Sequence, residues 1–180
     1  MAAPVFNKEK MSKKNLIDEL KLCFADIQVN EDEKGMIKVH AKKEQVKAIL
    51  LYLKNDGYDH LSLVSCVDWI NKKEFELIYV LTSYVNDNKS YNEKGDVCLK
   101  IRFARNKAEV ETVIGIFENA EPYEREIHEL FGVNFRGHPR LIPLFLERNY
   151  KIPPFRKDFD TRKYVEDFFN SIPVVPEEEV

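Results

Sequence analysis

The sequence predicts an α+β fold, in which helices pack on a mainly antiparallel sheet, followed by an extended proline-rich C-terminal arm. Two observations predict the compact part. Apolar residues recur at helical spacing in some segments, and they alternate with polar residues in others. A third predicts the arm, since six prolines interrupt an apolar stretch after Phe135. We therefore expect a compact domain over residues 1–135 and a partner-wrapping arm over residues 136–180.

Composition limits the possible classes of protein. With 180 residues the chain can form one core and an appended segment, and 44% hydrophobic and 33% charged residues are typical of a globular protein. The net charge of -3 and the lack of a basic region argue against nucleic-acid binding. The sequence contains no apolar run of about 18 residues and no signal peptide after Met1. We expect a cytoplasmic chain that contacts a membrane only through partners.

The first half of the chain alternates between helical and extended patterns. The long strands have apolar residues on one side, as in Val97, Leu99, Ile101 and Phe103. The polar loop from Asn86 to Gly95 has the pattern of a solvent-exposed hairpin connection. The predicted elements are a helix from Ser12 to Phe24, a hairpin pairing residues 27–29 with 37–39, a helix from Val46 to Leu53, and a meander of three strands, Leu61 to Val67, Phe75 to Tyr84 and Val97 to Ala104.

The second half predicts three further helices. Asn106 and Glu109 have the spacing of a capping box, and a helical face follows at Val110, Val113, Ile114 and Phe117. Another helix begins near Pro122 and ends at Gly132, because proline is tolerated in a first turn and glycine commonly follows a last one. A short helix spans Thr161 to Asn170, and the acidic run from Glu177 to Glu179 is expected in solvent.

The arm is unusual because it is broken by prolines and yet rich in leucine and aromatic residues. A disordered tail lacks such apolar side chains, so this segment must bury them on its own domain or on a neighbour, and we favour a neighbour. The cysteines Cys23, Cys66 and Cys98 are widely spaced among apolar residues. We interpret all three as reduced core residues and not as metal ligands.

The helix from Pro122 to Phe131 carries crowded charges opposite an apolar face. Arg125 lies four residues from both Glu121 and Glu129, which favours a solvated face with i,i+4 pairs. The alternative is that Glu124, Arg125 and Glu126 form ion pairs with another subunit.

The histidines give no sign of a catalytic or metal site. The residue four positions after His128 is Gly132, so a zinc-protease helix is excluded, and His138 has no suitably spaced nucleophile or acid. A free-standing enzyme that uses Glu126, His128 and His138 as acid and base is the hypothesis of another class, and a general adaptor domain is a third. Neither is favoured, because no nucleophile, phosphate loop or metal set completes a site.

Several short motifs in one register give the sequence a specific resemblance. They are Glu124-Arg125-Glu126, Glu129 to Gly132, Gly137-His138-Pro139, and Pro154-Phe155-Arg156-Lys157-Asp158. Together they resemble the signature of the thirty-kilodalton subunit of complex I, the proton-pumping NADH:quinone oxidoreductase. Weaker similarity reaches back to residues 63–68. The family includes the corresponding subunit of membrane-bound [NiFe] hydrogenases and of ferredoxin-linked complexes.

Two departures from the family pattern favour the hydrogenase-like branch. The family usually has a tryptophan before Glu-Arg-Glu, where this sequence has Glu121-Pro122-Tyr123. It usually has arginines shortly after His-Pro, where this sequence has Ile142-Pro143. NADH:quinone oxidoreductase proper is the alternative branch.

The resemblance implies a non-catalytic scaffold subunit of an ion-translocating oxidoreductase, peripheral on the cytoplasmic side of the cell membrane. It implies no cofactor in this chain, with iron–sulfur clusters and, in the hydrogenase branch, nickel–iron in partner subunits. The implied partners are a hydrogenase-like large subunit and a neighbouring iron–sulfur subunit. The expected interface or interface-positioning residues are Glu124, Arg125, Glu126, His138, Pro139, Phe145, Tyr150, Phe155, Arg156, Lys157 and Asp158.

Overall fold

The computed structural model describes residues 13–83, 95–146 and 150–169. The predicted loop from Asn86 to Gly95 lies almost wholly outside the described residues, and the acidic run at Glu177 to Glu179 lies entirely outside them. The elements in chain order are α1 (Lys13–Cys23), β1 (Gln28–Glu31), β2 (Ile37–Ala41), α2 (Val46–Asn55), β3 (His60–Trp69), β4 (Glu74–Thr82), β5 (Val97–Ala104), β6 (Glu109–Glu111), α3 (Ala120–Phe131), β7 (Asn134–Arg136) and α4 (Thr161–Phe169).

The main sheet has five strands in the order β1-β2-β5-β4-β3. Neighbours are antiparallel except β2 and β5, which run parallel. The predicted hairpin and the three-stranded meander are confirmed, as is the α+β class with a mainly antiparallel sheet. In β4 and β5 every second residue is buried, so Tyr79 faces Leu99 and Leu77 faces Ile101 on the inner side of the sheet.

The helices pack on that inner side and complete one core. Leu16 and Leu20 of α1 are buried, and so are Ile49 and Leu53 of α2, because the apolar residues recur at the spacing of one helical face. They join the inward-facing strand residues and Ile127 of α3 in a single cluster. The helices predicted from these apolar patterns are confirmed. No helix within the described ranges is long and apolar enough to cross a membrane.

The predicted helix that begins at Asn106 is wrong. Residues 105–107 form a 3-10 turn, and the strand β6 then pairs in parallel with β7, with Val110 opposite Phe135. Val110, Val113 and Phe117 are buried as the spacing suggested, but a strand and tight turns bury them. The segment contains several β-branched residues and Gly115, which disfavour a helix, and β7 offers backbone partners, including the Asn134 N–H that donates to the Ala108 carbonyl.

The interpretation of the cysteines holds for two of the three. Cys66 and Cys98 are buried, whereas Cys23 is exposed, and all three are free thiols. Phe24 continues the inward face of α1 and packs edge-on against Tyr52, with ring centroids 5.8 Å apart. Because Phe24 fills that place, Cys23 at the end of the helix points to solvent.

Two leucines of α1 allow a matched test of its packing. Leu20 is fully buried in the core, and Leu22 is 86% exposed on the same helix. We expect Leu20→Ala to lower the free energy of unfolding by about 2–5 kcal/mol, because it leaves a cavity, and Leu22→Ala to change it by less than about 0.5 kcal/mol. Urea denaturation followed by circular dichroism measures both. Equal effects would contradict the described packing of α1.

Candidate functional site

Glu124 of α3 lies inside the chain and fixes the segment that precedes the helix. Its side chain is fully buried. One carboxylate oxygen accepts a hydrogen bond from the Val113 backbone N–H at 2.7 Å, and the other from the Thr112 hydroxyl at 2.6 Å. The interpretation of this residue as part of a solvated face is therefore wrong. The carboxylate instead takes the place of a backbone partner for the turn after β6.

The surroundings of Glu124 are apolar enough to change its ionisation. Burial raises the pKa of its carboxyl to about 7, although the hydrogen bonds from Thr112 and Val113 act in the opposite direction. Burial also raises the pKa of Tyr79, and the nearby Glu124 contributes to that shift. The Tyr79 hydroxyl is buried and has no hydrogen-bond partner among the described residues. With a pKa of about 7, the carboxyl of Glu124 holds a proton in a large share of the folded molecules at neutral pH.

Arg125 connects α3 to the first part of the arm. The residue is 8% exposed, and its guanidinium donates from Nε to the Ile142 carbonyl at 3.0 Å and from Nη2 to the Pro143 carbonyl at 2.9 Å. It also forms the predicted i,i+4 ion pair with Glu121 at 3.3 Å. The rigid fork of an arginine suits two successive carbonyl acceptors. Arg125 therefore positions the backbone at the proline-containing turn of the arm.

Glu129 holds the next three residues of the arm. Its carboxylate accepts hydrogen bonds from the backbone N–H groups of Leu144 and Phe145, each at 3.0 Å, and from that of Leu146. Hydrogen bonds to an ionised carboxylate are stronger than neutral ones. Three consecutive N–H groups are thus satisfied without any strand or helix in this part of the arm.

The end of α3 receives a second part of the arm. Gly132 ends the helix in the left-handed conformation at φ 73°. The Arg156 side chain donates to the Phe131 carbonyl at 2.6 Å, and the Phe155 N–H donates to the Leu130 carbonyl at 3.0 Å. The rings of Phe131 and Phe155 meet edge-on with centroids 5.8 Å apart. These contacts satisfy carbonyls that a helix end leaves without partners.

An ion-pair network ties the same part of the arm to the main sheet. Arg105 lies 3.0 Å from the carboxylate of Asp68 and donates to Asp158 at 2.6 Å. The second carboxylate oxygen of Asp68 accepts a hydrogen bond from the Lys157 backbone N–H at 2.9 Å. The hydrogen bond from Arg105 is the main cause that lowers the pKa of Asp158. The Arg156 guanidinium lies over the Phe75 ring, 5.2 Å from its centroid.

The remaining candidate residues have separate surroundings. His138 accepts a hydrogen bond from the Arg140 N–H at Nδ1, and its Nε2 is 3.5 Å from the Glu121 carbonyl, while the adjacent Pro139 is exposed. His128 bonds the Val133 carbonyl through Nδ1 at 2.8 Å, and Glu126 is half-buried. Within residues 13–83, 95–146 and 150–169, no group of three or more histidines, cysteines or carboxylates could hold a metal ion.

The arm keeps several apolar side chains exposed although its backbone is held. Phe145 is 68% exposed, Phe155 59%, Ile142 48% and Ile152 39%. Tyr150 differs, because its ring stacks on Tyr164 of α4 at 4.9 Å between centroids. The apolar residues of the arm are thus divided between contacts within the chain and an outward-facing group, which we call the exposed arm residues: Ile142, Phe145, Ile152 and Phe155.

Sequence reasoning missed Asp68, Arg105 and Glu129 as site residues. A signal for Asp68 was present, because it continues the alternation of the buried residues Val64 and Cys66 along β3. A carboxylate at an inward position requires a partner, which predicts a buried ion pair. Nothing in the local sequence identifies Arg105 as that partner, since the two residues lie near the ends of different strands and meet only in the fold.

Comparison with known proteins finds similar sequences. Residues 39–165 match the family described as respiratory-chain NADH dehydrogenase, 30 Kd subunit. The chain is 36% identical over 126 residues to a subunit of the F420H2 dehydrogenase of Methanosarcina mazei, and the match covers 69% of this chain and 75% of that protein. It is 29% identical over 142 residues to NADH-ubiquinone oxidoreductase subunit 9 of Dictyostelium discoideum, and that match covers 74% of this chain and 64% of that protein.

Two solved structures share the fold. A chain of the membrane-bound sulfane sulfur reductase, an archaeal respiratory membrane complex, aligns with a TM-score of 0.73 at 22% identity and covers 92% of this chain and 96% of that one. The trypsin-resistant fragment of Nqo5 aligns with a TM-score of 0.62 at 20% identity and covers 73% of this chain and all of that one. The first alignment extends beyond the compact part into the arm.

Gly132 provides a test of how the arm docks on α3. A Cβ at this position would lie 2.8 Å from Arg156 Nη2 and 3.0 Å from Pro153 Cγ, and the left-handed backbone adds strain. We expect Gly132→Ala to lower the free energy of unfolding by about 1–3 kcal/mol and to increase proteolysis within residues 150–158. Gly115→Ala is the matched control, because nothing lies within 4 Å of its Cβ position. Equal stability of the two variants would contradict this docking.

Glu124 predicts a pH dependence of stability. Since its pKa rises to about 7 from the usual 4.5, the folded chain holds a proton that the unfolded chain has lost between these values. The stabilisation is fully present below about pH 4.5 and is lost as the pH rises through 7, on the order of 3 kcal/mol in total. Denaturation midpoints at pH 5 and pH 8 should differ less in Glu124→Gln than in the wild type. Identical pH slopes would exclude a raised pKa at Glu124.

Proposed function

This chain belongs to the family of the 30 kDa subunit of the respiratory-chain NADH dehydrogenase and is a subunit of a complex-I-like respiratory complex, and from that membership we propose that it is a non-catalytic scaffold. In this proposal it holds a large partner subunit through its C-terminal arm. The family match runs through residue 165 and so includes much of the arm, and the proposed role depends on the arm as well.

The observation that carries the proposal is that internal contacts fix the backbone of the arm while several of its apolar side chains stay exposed. Arg125 and Glu129 bind its backbone over residues 142–146, and Arg105 and Asp68 bind residues 157–158. These contacts are internal, so they leave the exposed arm residues directed outward. Contiguous exposed apolar side chains mark interaction sites, and aromatic anchors dominate the energy of such sites.

The expected interface residues divide into two groups in this proposal. Phe145 and Phe155 are the proposed anchors, and Lys157, Glu126 and Pro139 are proposed to lie at the polar rim. Buried or internally bonded residues are proposed to hold the arm in place or, for Glu124, the turn before α3, and not to meet the partner through their polar groups. These positioning residues are Glu124, Arg125, His138, Tyr150, Arg156 and Asp158.

The proposed partners are a hydrogenase-like large subunit and a neighbouring iron–sulfur subunit, which carry the cofactors of the complex. The chain itself is proposed to bind none. It would then be peripheral on the cytoplasmic side of the membrane, attached through those subunits. Similarity to the subunits of named membrane complexes supports this arrangement, because in both comparisons the related chain is one subunit among several.

We favour the branch of the family without an NADH-oxidising module, either a membrane-bound [NiFe] hydrogenase or a ferredoxin-linked relative. The departures at Pro122, Ile142 and Pro143 support this branch, and so does the 36% identity to a subunit named for F420H2 and not for NADH. The alternative is NADH:quinone oxidoreductase proper. Identifying the co-purifying chains separates the two, since NADH-oxidising subunits would establish the alternative.

Phe145 allows a direct test of the scaffold proposal. Its side chain is exposed and its backbone is held by Glu129, so Phe145→Ser should leave the stability of the chain unchanged within about 0.5 kcal/mol. If the arm binds the large subunit, the amount of that subunit that co-purifies with this variant should fall by a factor of about ten or more.

The control is Leu22→Ser, which removes an even more exposed apolar side chain from α1. It should purify with the same partners as the wild type. Equal recovery of the large subunit by Phe145→Ser and the wild type would contradict an arm interface, and a wild-type chain that purifies alone would contradict the scaffold role altogether.

A further inference from the structure

The main sheet has an outer face whose residues alternate with those of the core. The strand registers place Leu63 opposite Val80, Ser65 opposite Ile78, and Lys100 opposite both Ile78 and His40 on this face. Apart from Glu76 and Cys98, its side chains are half-buried or exposed among the described residues. Such a face of an antiparallel sheet either lies in solvent or packs against a further layer, and its residue types decide between the two.

The half of the outer face on β3 and β4 carries five apolar side chains beside the polar residues Ser65, Glu74, Glu76 and Thr82. Leu63 is 43% exposed and Trp69 37% exposed, and Val67, Ile78 and Val80 between them are half-buried. Antiparallel sheets with one face in solvent normally alternate apolar inward residues with polar outward ones. These five side chains depart from that rule, which indicates that this part of the sheet is covered in the assembled state.

The half of the outer face on β2 and β5 is basic. Lys100 and Arg102 project from β5 beside a shallow groove that is also lined by Lys42, Lys43 and Lys107. Five cations and two carboxylates, Asp26 and Glu44, line this groove, whereas the whole chain has a net charge of -3. The groove therefore carries a local excess of positive charge on a chain that is acidic as a whole.

Three of the five cations have no carboxylate partner in the described part of the chain, namely Lys100, Lys107 and Lys43, whose ammonium group donates to the Glu109 carbonyl at 3.1 Å. Lys42 pairs with Asp26 at 2.7 Å, and Arg102 pairs with Glu76 at 2.6 Å. Lys100 and Lys107 form no ion pair with any described residue. Lys100 lies directly between the apolar side chains of β3 and β4 and the groove, because its strand neighbours are Ile78 and His40.

We infer that the outer face is a second docking surface, separate from the arm, which takes an acidic segment of a neighbouring subunit of the same complex. Apolar side chains of that segment cover Leu63 and Trp69, and its carboxylates face Lys100 and Lys107. Such charge complementarity fixes orientation and selects the partner. The inference rests on the proposed function, since it requires that the chain assembles with other subunits.

An acidic protein segment fits this surface better than a membrane or a nucleic acid. Both of those present dense negative charge, and a surface that binds them presents cations largely without carboxylates. Here Asp26, Glu44 and Glu76 lie between the cations, and an apolar strip adjoins them. Cations that are interspersed with carboxylates beside an apolar strip favour a ligand in which separated carboxylates alternate with apolar groups.

Zero-length cross-linking of the purified complex tests this inference. A carbodiimide joins a lysine amine to a carboxylate in direct contact with it, so mass spectrometry should find Lys100 or Lys107 linked to an aspartate or glutamate of another subunit. Lys100→Arg keeps the charge and removes the amine. It should lose the Lys100 cross-link and keep normal assembly.

A charge reversal gives the second measurement. Lys100→Glu should leave about three- to tenfold less of this chain in the complex after a wash at moderate salt, because a repulsive contact replaces an attractive one. Lys21→Glu is the matched control for net charge, since Lys21 is exposed on α1, and should be retained like the wild type.

The other outcomes identify what is wrong. Cross-links only to the chain's own Glu177 to Glu179 would overturn the inference in favour of an internal contact. Lys100-dependent flotation of the isolated chain with anionic vesicles, without cross-links to any other protein of the complex, would overturn it in favour of a membrane surface. Intact assembly with no cross-link and no effect of Lys100→Glu would overturn this inference and leave the proposed function standing. A wild-type chain that purifies without other subunits would overturn the proposed function as well.

Discussion

The structure depends on the acidic and basic side chains of α3. They bind backbone groups of the segments that precede and follow the helix along the chain. Glu124 holds the turn before α3, while Arg125 and Glu129 hold the arm after it. A hydrogen bond from the charged Arg125 guanidinium contributes about 1.5–3 kcal/mol, and leaving that group buried without its partners costs more. The helix thus determines the path of chain segments that have no regular structure of their own.

This constraint explains how a proline-broken arm can be ordered. Proline prevents a helix or a central strand, so the N–H and carbonyl groups of the arm must find other partners. Glu129 supplies an acceptor for three of the N–H groups, and Arg125 supplies donors for two carbonyls. Because these contacts use backbone groups, the side chains of the exposed arm residues remain available to a partner.

The sequence predicts the elements whose apolar residues repeat regularly, and α1, α2 and the meander are examples. It misses features that depend on distant contacts. The spacing from Val110 to Phe117 suits a helix as well as a strand followed by turns, and only pairing with Phe135 decides between them. Likewise, periodicity cannot separate an exposed charge on α3 from one that bonds to a distant backbone. The solvated face predicted for Glu124 was therefore wrong, although the motif around it was recognised.

Internal fixation of the arm also affects the free energy of association. A segment that orders only on binding loses conformational entropy at that step, which weakens the interaction. In this chain the contacts of Arg125, Glu129, Arg105 and Asp68 order residues 142–146 and 157–158 before any partner is present. The entropic cost is then met during folding. A scaffold of this design presents Phe145 and Phe155 in a preformed position, so more of the apolar contact energy remains as affinity.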